Sequence, residues 1–367
     1  MSARIDPWGA TVPEDYAALM REFGIKPFSE LTERIPDPHL LMRRGVIFGH
    51  RDFDVVLEAM LKGKKYAVMT GLMPSGRMHM GHKLVIDQLI WYQKRGAEIF
   101  LCVADLEAYS ARDISFEESK RYAIEEYLAN YIALGLDLGK CRVYFQSKND
   151  SVKHLAYILA KEVNFSEMRA IYGFANESNI AHIFYPMIDA ADILHPQLEE
   201  FCGPCPTVVP VGIDQDPHLR LARDVAARVQ KQFNFIPPSS TYHRLIPGIK
   251  GGKMSSSRPE SAIFLTDSVE DAKWKIENAF TGGRATAEEH RRLGGQPDIC
   301  VIYALYVYQL IPDDEKLLEV RRACTSGEMV CGECKAMAMD LMSNFLRSHQ
   351  AKLKGAREKA ERIAEMI

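Results

Sequence analysis

The stretch TGLMPSGRMHMGHK, residues 70–83, places two histidines among small residues directly after the apolar run YAVM. His79 and His82 are three residues apart, so on a helix they share one face and can both donate hydrogen bonds to an anion. A helix N-terminus favours a phosphate, so the stretch predicts a phosphate-binding turn. The alternative is an ordinary turn with two solvated histidines. Four small residues would let a ligand approach the backbone: Gly71, Ser75, Gly76 and Gly81.

A second stretch of this kind is GIKGGKMSSSRPESAIF, residues 248–264, in which glycines and serines surround Lys253. A loop that carries one lysine and several hydroxyl groups could close over a polyphosphate, because it supplies a cation and hydrogen-bond donors together. By itself this is a weak signal, since most glycine- and serine-rich loops are linkers.

The elements that must position these residues follow a β-α rhythm that begins at Tyr66. Strand patterns alternate with helix patterns, and Ser115 with Glu118 forms a capping box before one of the helices. This alternation predicts an α/β fold with a doubly wound parallel, Rossmann-like sheet, in which ligands bind beyond the carboxyl ends of the strands. The four predicted strands are YAVMTG, EIFLCVAD, CRVYFQS and TVVPVGID.

The rhythm changes near Thr266, after which every pattern is helical. We therefore expect three parts: an N-terminal extension over residues 1–65, a catalytic domain over 66–266 and an all-α domain over 267–367. The extension contains prolines and the basic stretch MRRGVIFGHRDFD, and we expect it to pack on the catalytic domain.

Composition limits the classes of function without choosing one. The chain has 367 residues, 47% apolar residues and a formal net charge of −3, so any site for a polyanion must be a local patch. The first residues carry no apolar signal segment and no apolar run is long enough to span a membrane, which predicts a cytoplasmic protein. Eight cysteines in such a chain favour metal ligands over disulfides.

Taken together, the two glycine-containing stretches resemble the signatures of class I aminoacyl-tRNA synthetases. HMGH at 79–82 resembles the HIGH signature, and KMSSS at 253–257 resembles the KMSKS signature. Further segments are similar to the tryptophanyl-tRNA synthetases, especially the archaeal and eukaryotic group, so that the resemblance covers almost the whole chain. These segments are DPWG (6–9), RRGVIFGHRD (43–52), YPMIDAADIL (185–194), VPVGIDQDPHLRLARDVA (209–226) and AFTGGRATAEEHRRLGG (279–295).

The resemblance implies a tryptophan–tRNA ligase. Such an enzyme joins L-tryptophan to ATP, with Mg²⁺, to give tryptophanyl-adenylate and pyrophosphate, and then transfers the aminoacyl group to tRNA(Trp). It also implies that the helical domain binds the anticodon and that the protein is a homodimer. Two alternatives are a tyrosyl-tRNA synthetase, against which GIDQDPH and AADILHP argue, and a non-catalytic iron–sulfur RNA-binding relative.

By the same resemblance, His79 and His82 contact the phosphates and ribose of ATP, and Lys253 neutralises the leaving pyrophosphate. Gly212 and Asp214 would seat the adenosine ribose. The second lysine of the KMSKS pattern is replaced here by Ser256, which puts more weight on Lys253. The residues expected to bind ATP are Gly71, Ser75, Gly81, Gly212, Asp214, Met254 and Ser255.

Recognition of tryptophan needs an acceptor for the indole N–H and acceptors for the α-ammonium group. Resemblance to the bacterial pattern assigns the indole N–H to Asp192. It assigns the ammonium group to Tyr185 and Gln215. Asp189 lines the same helix one turn before Asp192.

The eukaryotic enzymes instead use polar residues on the first two strands. The matching positions here are Met69 and Cys102, which are poor acceptors. Asp192 is therefore the expected acceptor, and the alternative is that it caps or pairs within the fold, because carboxylates are rarely buried unpaired.

Four cysteines fall within the helical part, with 23, 6 and 2 residues between successive members: Cys300, Cys324, Cys331 and Cys334. Four thiols that end in a C-x-x-C pair suit a tetrahedral sulfur site for zinc or a 4Fe–4S cluster. Some tryptophanyl-tRNA synthetases carry a 4Fe–4S cluster at nearly this spacing, with one residue fewer in the first gap. We expect the cluster, with zinc and then four ordinary thiols as the alternatives.

The resemblance to the synthetases assigns no role to two further features, a second cysteine pair and two basic stretches. Cys202 and Cys205, in FCGPCP, have no partner pair nearby, so a structural turn is the favoured interpretation and a thiol pair near the substrate pocket the alternative. The basic stretches RGVIFGHR (44–51) and RSHQAKLKGAREKAERIAEM (347–366) are either phosphate contacts for tRNA or solvated surface.

Overall fold

The structure is a computed structural model that describes residues 15–256 and 258–367. The DPWG motif at 6–9, the first fourteen residues of the expected extension and Ser257 of KMSSS lie outside the described residues.

One mixed sheet organises the described part of the chain. Its strands lie in the order β1-β2-β7-β6-β3-β4-β5, and all neighbours from β7 to β5 are parallel. The prediction of a doubly wound parallel sheet is therefore confirmed, and the four predicted strands are β3, β4, β5 and β6. The strands are β1 Lys26–Pro27, β2 Ile47–Arg51, β3 Ala67–Leu72, β4 Glu98–Val103, β5 Cys141–Phe145, β6 Thr207–Gly212 and β7 Ser239–His243.

The N-terminal extension does more than lie over the sheet. Strands β1 and β2 join its edge as an antiparallel pair, with β2 hydrogen-bonded to β7. The basic pattern around β2 hid this strand, which is buried over four of its five residues. Residues before Tyr66 thus complete the sheet that carries the predicted site.

Helices cover both faces of the sheet and form the C-terminal part. A π-helical segment, Ala123–Leu128, joins α7 to α8, and another, Tyr306–Leu310, follows α16. No helix in the described ranges is long and apolar enough to cross a membrane. The helices are α1 Tyr16–Phe23, α2 Ser29–Thr32, α3 Leu40–Arg43, α4 Phe53–Leu61, α5 Met80–Gln93, α6 Asp105–Arg112, α7 Phe116–Tyr122, α8 Ala129–Leu134, α9 Asp150–Ala160, α10 Phe165–Tyr172, α11 Ile180–Leu194, α12 Asp216–Arg228, α13 Gln230–Phe233, α14 Val269–Glu277, α15 Ala287–Leu293, α16 Val301–Leu305, α17 Asp314–Ser326 and α18 Cys331–Met366.

Local sequence explains where many helices begin. Ser115 accepts a hydrogen bond from the Glu118 amide at the start of α7, as the capping pattern predicts. Asn149 caps α9 and Asp313 caps α17 in the same way. Such caps satisfy amide groups that have no partner inside the helix, so they fix the first turn of each element.

The C-terminal helices share a hydrophobic core with the sheet and its neighbouring helices. One continuous buried cluster contains Leu84 of α5, Tyr131 of α8 and Leu346 of α18. Arg44, which follows α3, donates to the Asp314 carboxylate and to the Val307 carbonyl, linking the extension to the helical part. This packing fixes the position of the C-terminal helices relative to the sheet.

Strands β3 and β6 are neighbours, but their connections run to strands nearer opposite edges of the sheet. The connection after β3 leads through α5 to β4, and the one after β6 leads through α12 to β7. A crevice opens at such a switch point, beyond the carboxyl ends of the strands. Both predicted glycine-containing turns lie beside this crevice.

Candidate active site

A single cavity of about 630 Å³ opens at the carboxyl ends of β3 and β6. It is lined by every residue that the sequence assigned to ATP or to the amino acid. These residues are Gly71, Ser75, His79, Gly81, His82, Tyr185, Asp189, Asp192, Gly212, Asp214, Gln215, Lys253, Met254 and Ser255.

The two histidines form the N-terminal cap of α5. His79 Nδ1 accepts a hydrogen bond from the Gly81 amide at 3.0 Å, and His82 Nδ1 accepts one from the His79 amide at 3.2 Å. The rings stack with their centroids 3.8 Å apart. Capping residues of this kind are usually Ser, Thr, Asp or Asn, so histidine in this role leaves one further nitrogen on each ring for a ligand.

Both rings are neutral hydrogen-bond donors. Burial lowers the pKa of His79 well below its ordinary value, and burial together with the Lys253 charge lowers the pKa of His82 to about 4. Because each Nδ1 accepts a hydrogen bond, the single proton of each neutral ring lies on Nε2. His79 and His82 thus offer two N–H donors without adding positive charge.

Glycine is required at position 81 by the ring of His79. A Cβ atom there would lie 2.8 Å from His79 Cε1 and 2.9 Å from Nδ1, which is closer than carbon atoms approach without displacement. At position 212, a Cβ atom would lie 2.5 Å from the Asp214 carboxylate. Both predicted glycines keep the backbone close to a polar side chain of the site.

Lys253 reaches into the cavity from the loop after β7. Its Nζ lies 2.6 Å from Asp214 Oδ2, and the two side chains are 26% and 12% exposed. The next residue, Met254, is buried and anchors the loop. Ser256, which stands where the signature has its second lysine, donates to the Arg77 carbonyl. The loop therefore brings one cation into the cavity.

Asp192 forms the closed end of the cavity. It is 1% exposed and accepts hydrogen bonds from Tyr144 Oη at 2.7 Å and Gln146 Nε2 at 2.5 Å. The Cys102 thiol donates to it at 3.6 Å. Burial raises the pKa of Asp192 to about 7 against the effect of these donors. The group is a buried acceptor that three side-chain donors hold in place.

Asp189 lies one turn earlier on α11 and faces a second set of polar groups. Its Oδ2 is 3.4 Å from His218 Nδ1, which also lies 3.0 Å from Tyr172 Oη. Burial raises the pKa of Asp189 to about 7 and lowers that of His218 to about 4, so the imidazole is neutral. An incoming ammonium group would find a carboxylate here that is not paired with a cation.

Sequence reasoning missed Tyr144 and Gln146, and placed no role on His218. The signal was present, because YFQS ends the third predicted strand and polar residues at the carboxyl end of a parallel strand face the crevice. Cys102 was set aside as a poor acceptor, yet the structure places it as a donor to Asp192. Spacing along the chain does not reveal that β5 and α11 meet at this point.

The family model described as tRNA synthetases class I (W and Y) matches residues 61–347. The chain belongs to this family. A curated relative from Methanocaldococcus jannaschii, named tryptophan–tRNA ligase, is 52% identical over 98% of both chains. The solved tryptophanyl-tRNA synthetase of Aeropyrum pernix K1 is 49% identical, superposes with a TM-score of 0.91 and covers 97% of this chain and 98% of that one.

This class I synthetase also brings its four C-terminal cysteines together. Cys300 caps α16, Cys324 lies in α17, and Cys331 and Cys334 lie in the first turn of α18. All four line one small cavity with His290. Burial raises the pKa of Cys334 to about 12, and the three other thiols act in the same direction.

Small residues leave room around these sulfur atoms. A Cβ atom at Gly283 would lie 2.6 Å from Cys331 Sγ, and one at Gly295 would lie 2.7 Å from Cys324 Sγ. His290, which the sequence did not single out, is buried, and its Nε2 has no hydrogen-bond partner in the described part of the chain. Within residues 15–256 and 258–367, no three His, Cys, Asp or Glu side chains are placed to hold a single metal ion.

The two basic stretches differ in what they expose. Arg44 and Arg51 are 6% and 13% exposed and pair with Asp314 and Asp216, so the RNA-contact interpretation of RGVIFGHR is wrong for these two arginines. Their charges bind elements of the synthetase to each other. By contrast, the last turns of α18 carry exposed cations, among them Lys352, Lys354, Arg357 and Lys359.

Proposed function

We propose that this synthetase activates L-tryptophan with ATP and transfers the resulting aminoacyl group to tRNA(Trp). One observation carries the proposal: a single cavity joins the two neutral histidine donors and Lys253 at its mouth to the buried acceptor Asp192 at its closed end. ATP and an amino acid with a polar N–H on a large apolar side chain would fill these two ends.

The reaction at the mouth is an attack by the carboxylate of tryptophan on the α-phosphorus of ATP, with loss of pyrophosphate. Such a transfer needs positioning and charge neutralisation more than a protein nucleophile. The Nε2–H groups of His79 and His82 would donate to phosphate oxygens, and Lys253 would neutralise the leaving pyrophosphate. Asp214 would accept from the ribose hydroxyls once Lys253 has turned to the phosphates.

Mg²⁺ would enter with ATP. This ion keeps several water ligands and is commonly held by substrate phosphates with few protein groups. The cavity fits such a complex, because the phosphates of ATP themselves supply most of the oxygen ligands. The ion would supply charge neutralisation beside the phosphates, while the histidines orient them.

Asp192 would select tryptophan by accepting the indole N–H. Tyr144 and Gln146 hold the carboxylate in place and occupy its other lone pairs. Asp189, Tyr185 and Gln215 would hold the α-ammonium group. A site that is built around an acceptor rejects side chains without the matching donor, because the acceptor would remain buried and unpaired.

The relatives support this assignment. Those from Methanocaldococcus jannaschii and Aeropyrum pernix carry the name tryptophan–tRNA ligase and match the chain nearly end to end. A structure from Encephalitozoon cuniculi, 26% identical with a TM-score of 0.83, covers 95% of this chain and 98% of that one and is described as bound to tryptophan.

The deciding experiment is ATP–pyrophosphate exchange with purified protein, run with tryptophan and with tyrosine. Exchange with tryptophan alone supports the proposal. Exchange with tyrosine would identify the tyrosyl enzyme instead, and the absence of exchange with both would favour the non-catalytic RNA-binding relative. Charging of a tRNA(Trp) transcript then tests the second step.

For the four cysteines we propose a 4Fe–4S cluster, with zinc as the alternative. Each cysteine of such a cluster binds a different iron atom, so the four sulfur atoms need not converge on one point as they do around zinc. The support for the cluster is that all four cysteines line one small cavity, as a group held by four thiolates requires. Cys300, Cys324, Cys331 and Cys334 would hold it, and it would brace α16, α17 and α18 for tRNA binding.

We also propose that the protein is a homodimer through the face formed by α9 and α11. These helices pack against each other, and each exposes a large apolar side chain, Tyr157 and Ile180, both 79% exposed. Single exposed apolar side chains are common on protein surfaces, so the proposal rests on the resemblance to dimeric synthetases, and Tyr157 and Ile180 mark the face to test. Light scattering of the native protein and of Tyr157→Glu tests this, since the variant should become monomeric.

A further inference from the structure

Cys202 and Cys205 form a thiol pair that the proposed reaction does not use. They lie in Cys-Gly-Pro-Cys, in the segment that joins α11 to β6. Gly203 adopts a φ of +64°, so the chain turns between the two cysteines, which are three residues apart. Both thiols are free, and no other cysteine lies in this segment.

The charged groups around the pair suit thiol–disulfide exchange. Cys202 Sγ lies 3.4 Å from Glu98 Oε2, and the same carboxylate pairs with Lys65 at 3.2 Å and with Arg142 at 4.0 Å. Two cations thus lie near the sulfur atoms, and cations of this kind stabilise a thiolate. Glu98 can accept the proton that Cys202 must lose.

The two thiols also differ in acidity and access. The hydrogen bond from Cys202 lowers the pKa of Cys205, while the same hydrogen bond raises the pKa of Cys202. Cys202 is partly exposed and Cys205 is 4% exposed. Cys202 can meet an oxidant from solution, and Cys205 lies behind it as the thiol that loses its proton more readily.

We propose that Cys202 and Cys205 are a redox-active dithiol that is oxidised reversibly to an intramolecular disulfide by small disulfides such as oxidised glutathione. Cys202 gives its proton to Glu98 and attacks one sulfur of the oxidant, releasing a glutathione thiolate that takes up this proton. Cys205 then attacks Cys202 Sγ, and its proton passes to the second glutathione, which leaves as a thiol. The protein dithiol is oxidised by two electrons, and the glutathione disulfide is reduced by the same two electrons.

This pair lies at the amino ends of β3, β4 and β6, beside Lys65, Glu98 and Thr207, whereas the cavity lies at their carboxyl ends. Its oxidation is therefore independent of the amino-acid reaction. A purely structural turn would not need a proton acceptor and two cations beside it, so these charged groups favour a chemical role for FCGPCP.

The test treats the full-length protein with oxidised glutathione, alkylates the remaining thiols and measures the mass of the peptide that contains residues 202–205. Cys141→Ser is the matched control, because Cys141 is a partly exposed cysteine outside the pair. We expect wild type and this control to lose two hydrogen atoms from the peptide, and dithiothreitol to restore them. Cys205→Ser should instead keep a glutathione adduct on Cys202, whereas Cys202→Ser should carry none, because Cys205 is only 4% exposed.

Glu98→Gln separates a proton-accepting role from a purely structural one. It should slow disulfide formation several-fold and leave the final extent unchanged. A wild-type peptide that remains fully alkylated, or that carries only glutathione adducts, would overturn the proposal. The wild-type measurement decides this even where a serine variant does not fold.

Discussion

Lys253 and Asp214 form a 2.6 Å ion pair that joins the glycine- and serine-rich loop after β7 to the turn after β6. Each is expected to contact a different part of ATP, the lysine its phosphates and the aspartate its ribose. The pair thus occupies both groups before ATP binds and holds the loop across the cavity. ATP binding would exchange this ion pair for two contacts with the nucleotide, so the loop would change partner as the reaction begins.

Lys253→Ala should lower the rate of ATP–pyrophosphate exchange by roughly 10²–10³-fold, the usual effect of removing one donor aimed at developing charge. The KM for tryptophan should change little, because Lys253 does not reach the closed end of the cavity. Lys250→Ala, in the same loop but exposed, is the matched control and should keep the wild-type rate. Equal rates for wild type and Lys253→Ala would refute the assignment of the loop.

Asp192→Ala should lower kcat/KM for tryptophan by roughly 10–100-fold, since a hydrogen bond to a charged group contributes about 1.5–3 kcal/mol. Tyr144→Phe keeps the carboxylate and removes one of its donors. Its kcat/KM for tryptophan should therefore fall less, and only through a higher KM for tryptophan. Steady-state exchange with tryptophan and ATP varied in turn distinguishes the two. An unchanged tryptophan KM in both variants would show that Asp192 is a structural pair.

Asp192 should also make the fold less stable as the pH rises. Its pKa is raised to about 7 in the folded protein, so between about pH 4 and pH 7 the folded state binds a proton that the unfolded state has lost. The contribution of this group to the free energy of unfolding therefore falls across that window, by up to about 4 kcal/mol.

Buried histidines act in the opposite direction over part of this window. His218 and His243, for example, have pKa values lowered to about 4, so their contribution to stability grows between about pH 4 and pH 6.5. The difference between wild type and Asp192→Asn isolates the carboxyl group. Urea unfolding at pH 5 and pH 7 should show the variant gaining stability relative to wild type at the higher pH; parallel curves would contradict the raised pKa.

Gly81→Ala should damage the nucleotide site through the ring of His79, which a Cβ atom would approach within 2.9 Å. Displacing the ring removes the cap of α5, at a cost of about 0.5–2 kcal/mol in stability, and raises the KM for ATP. Gly355→Ala in α18 is the control, because a Cβ atom there meets nothing within 4 Å. That control should gain about 0.5–1 kcal/mol, since alanine favours a helix interior. Thermal unfolding and ATP titration measure both effects.

Anaerobically purified protein should contain about four iron and four sulfide per chain, with visible charge-transfer absorption. Cys331→Ser should reduce the iron content and the absorption, while Cys141→Ser should leave both unchanged. One zinc per chain in a colourless protein would show that the four cysteines hold zinc and not the cluster. The absence of both metals would leave four ordinary thiols.

The alternation of apolar strands with capped helices was enough to predict the parallel sheet, since both signals are local in the chain. The two histidines, the glycines around them and Lys253 were also readable, because phosphate chemistry needs these residue types and the signatures place them in short segments. Strands β1, β2 and β7 were missed, since a two-residue strand, a basic pattern and the polar run SSTYH carry no apolar alternation.

What tertiary structure decided is the set of contacts between distant segments. The sequence identified Asp192, but only the fold brings Tyr144 of β5 and Gln146, just after β5, to this carboxylate as donors. The sequence showed cations in RGVIFGHR, and only the fold pairs Arg51 with Asp216 and withdraws both from solvent. Residue types and short spacings follow from local chemistry, whereas burial, protonation and partner choice depend on which elements meet, and that is set by the packing of the whole chain.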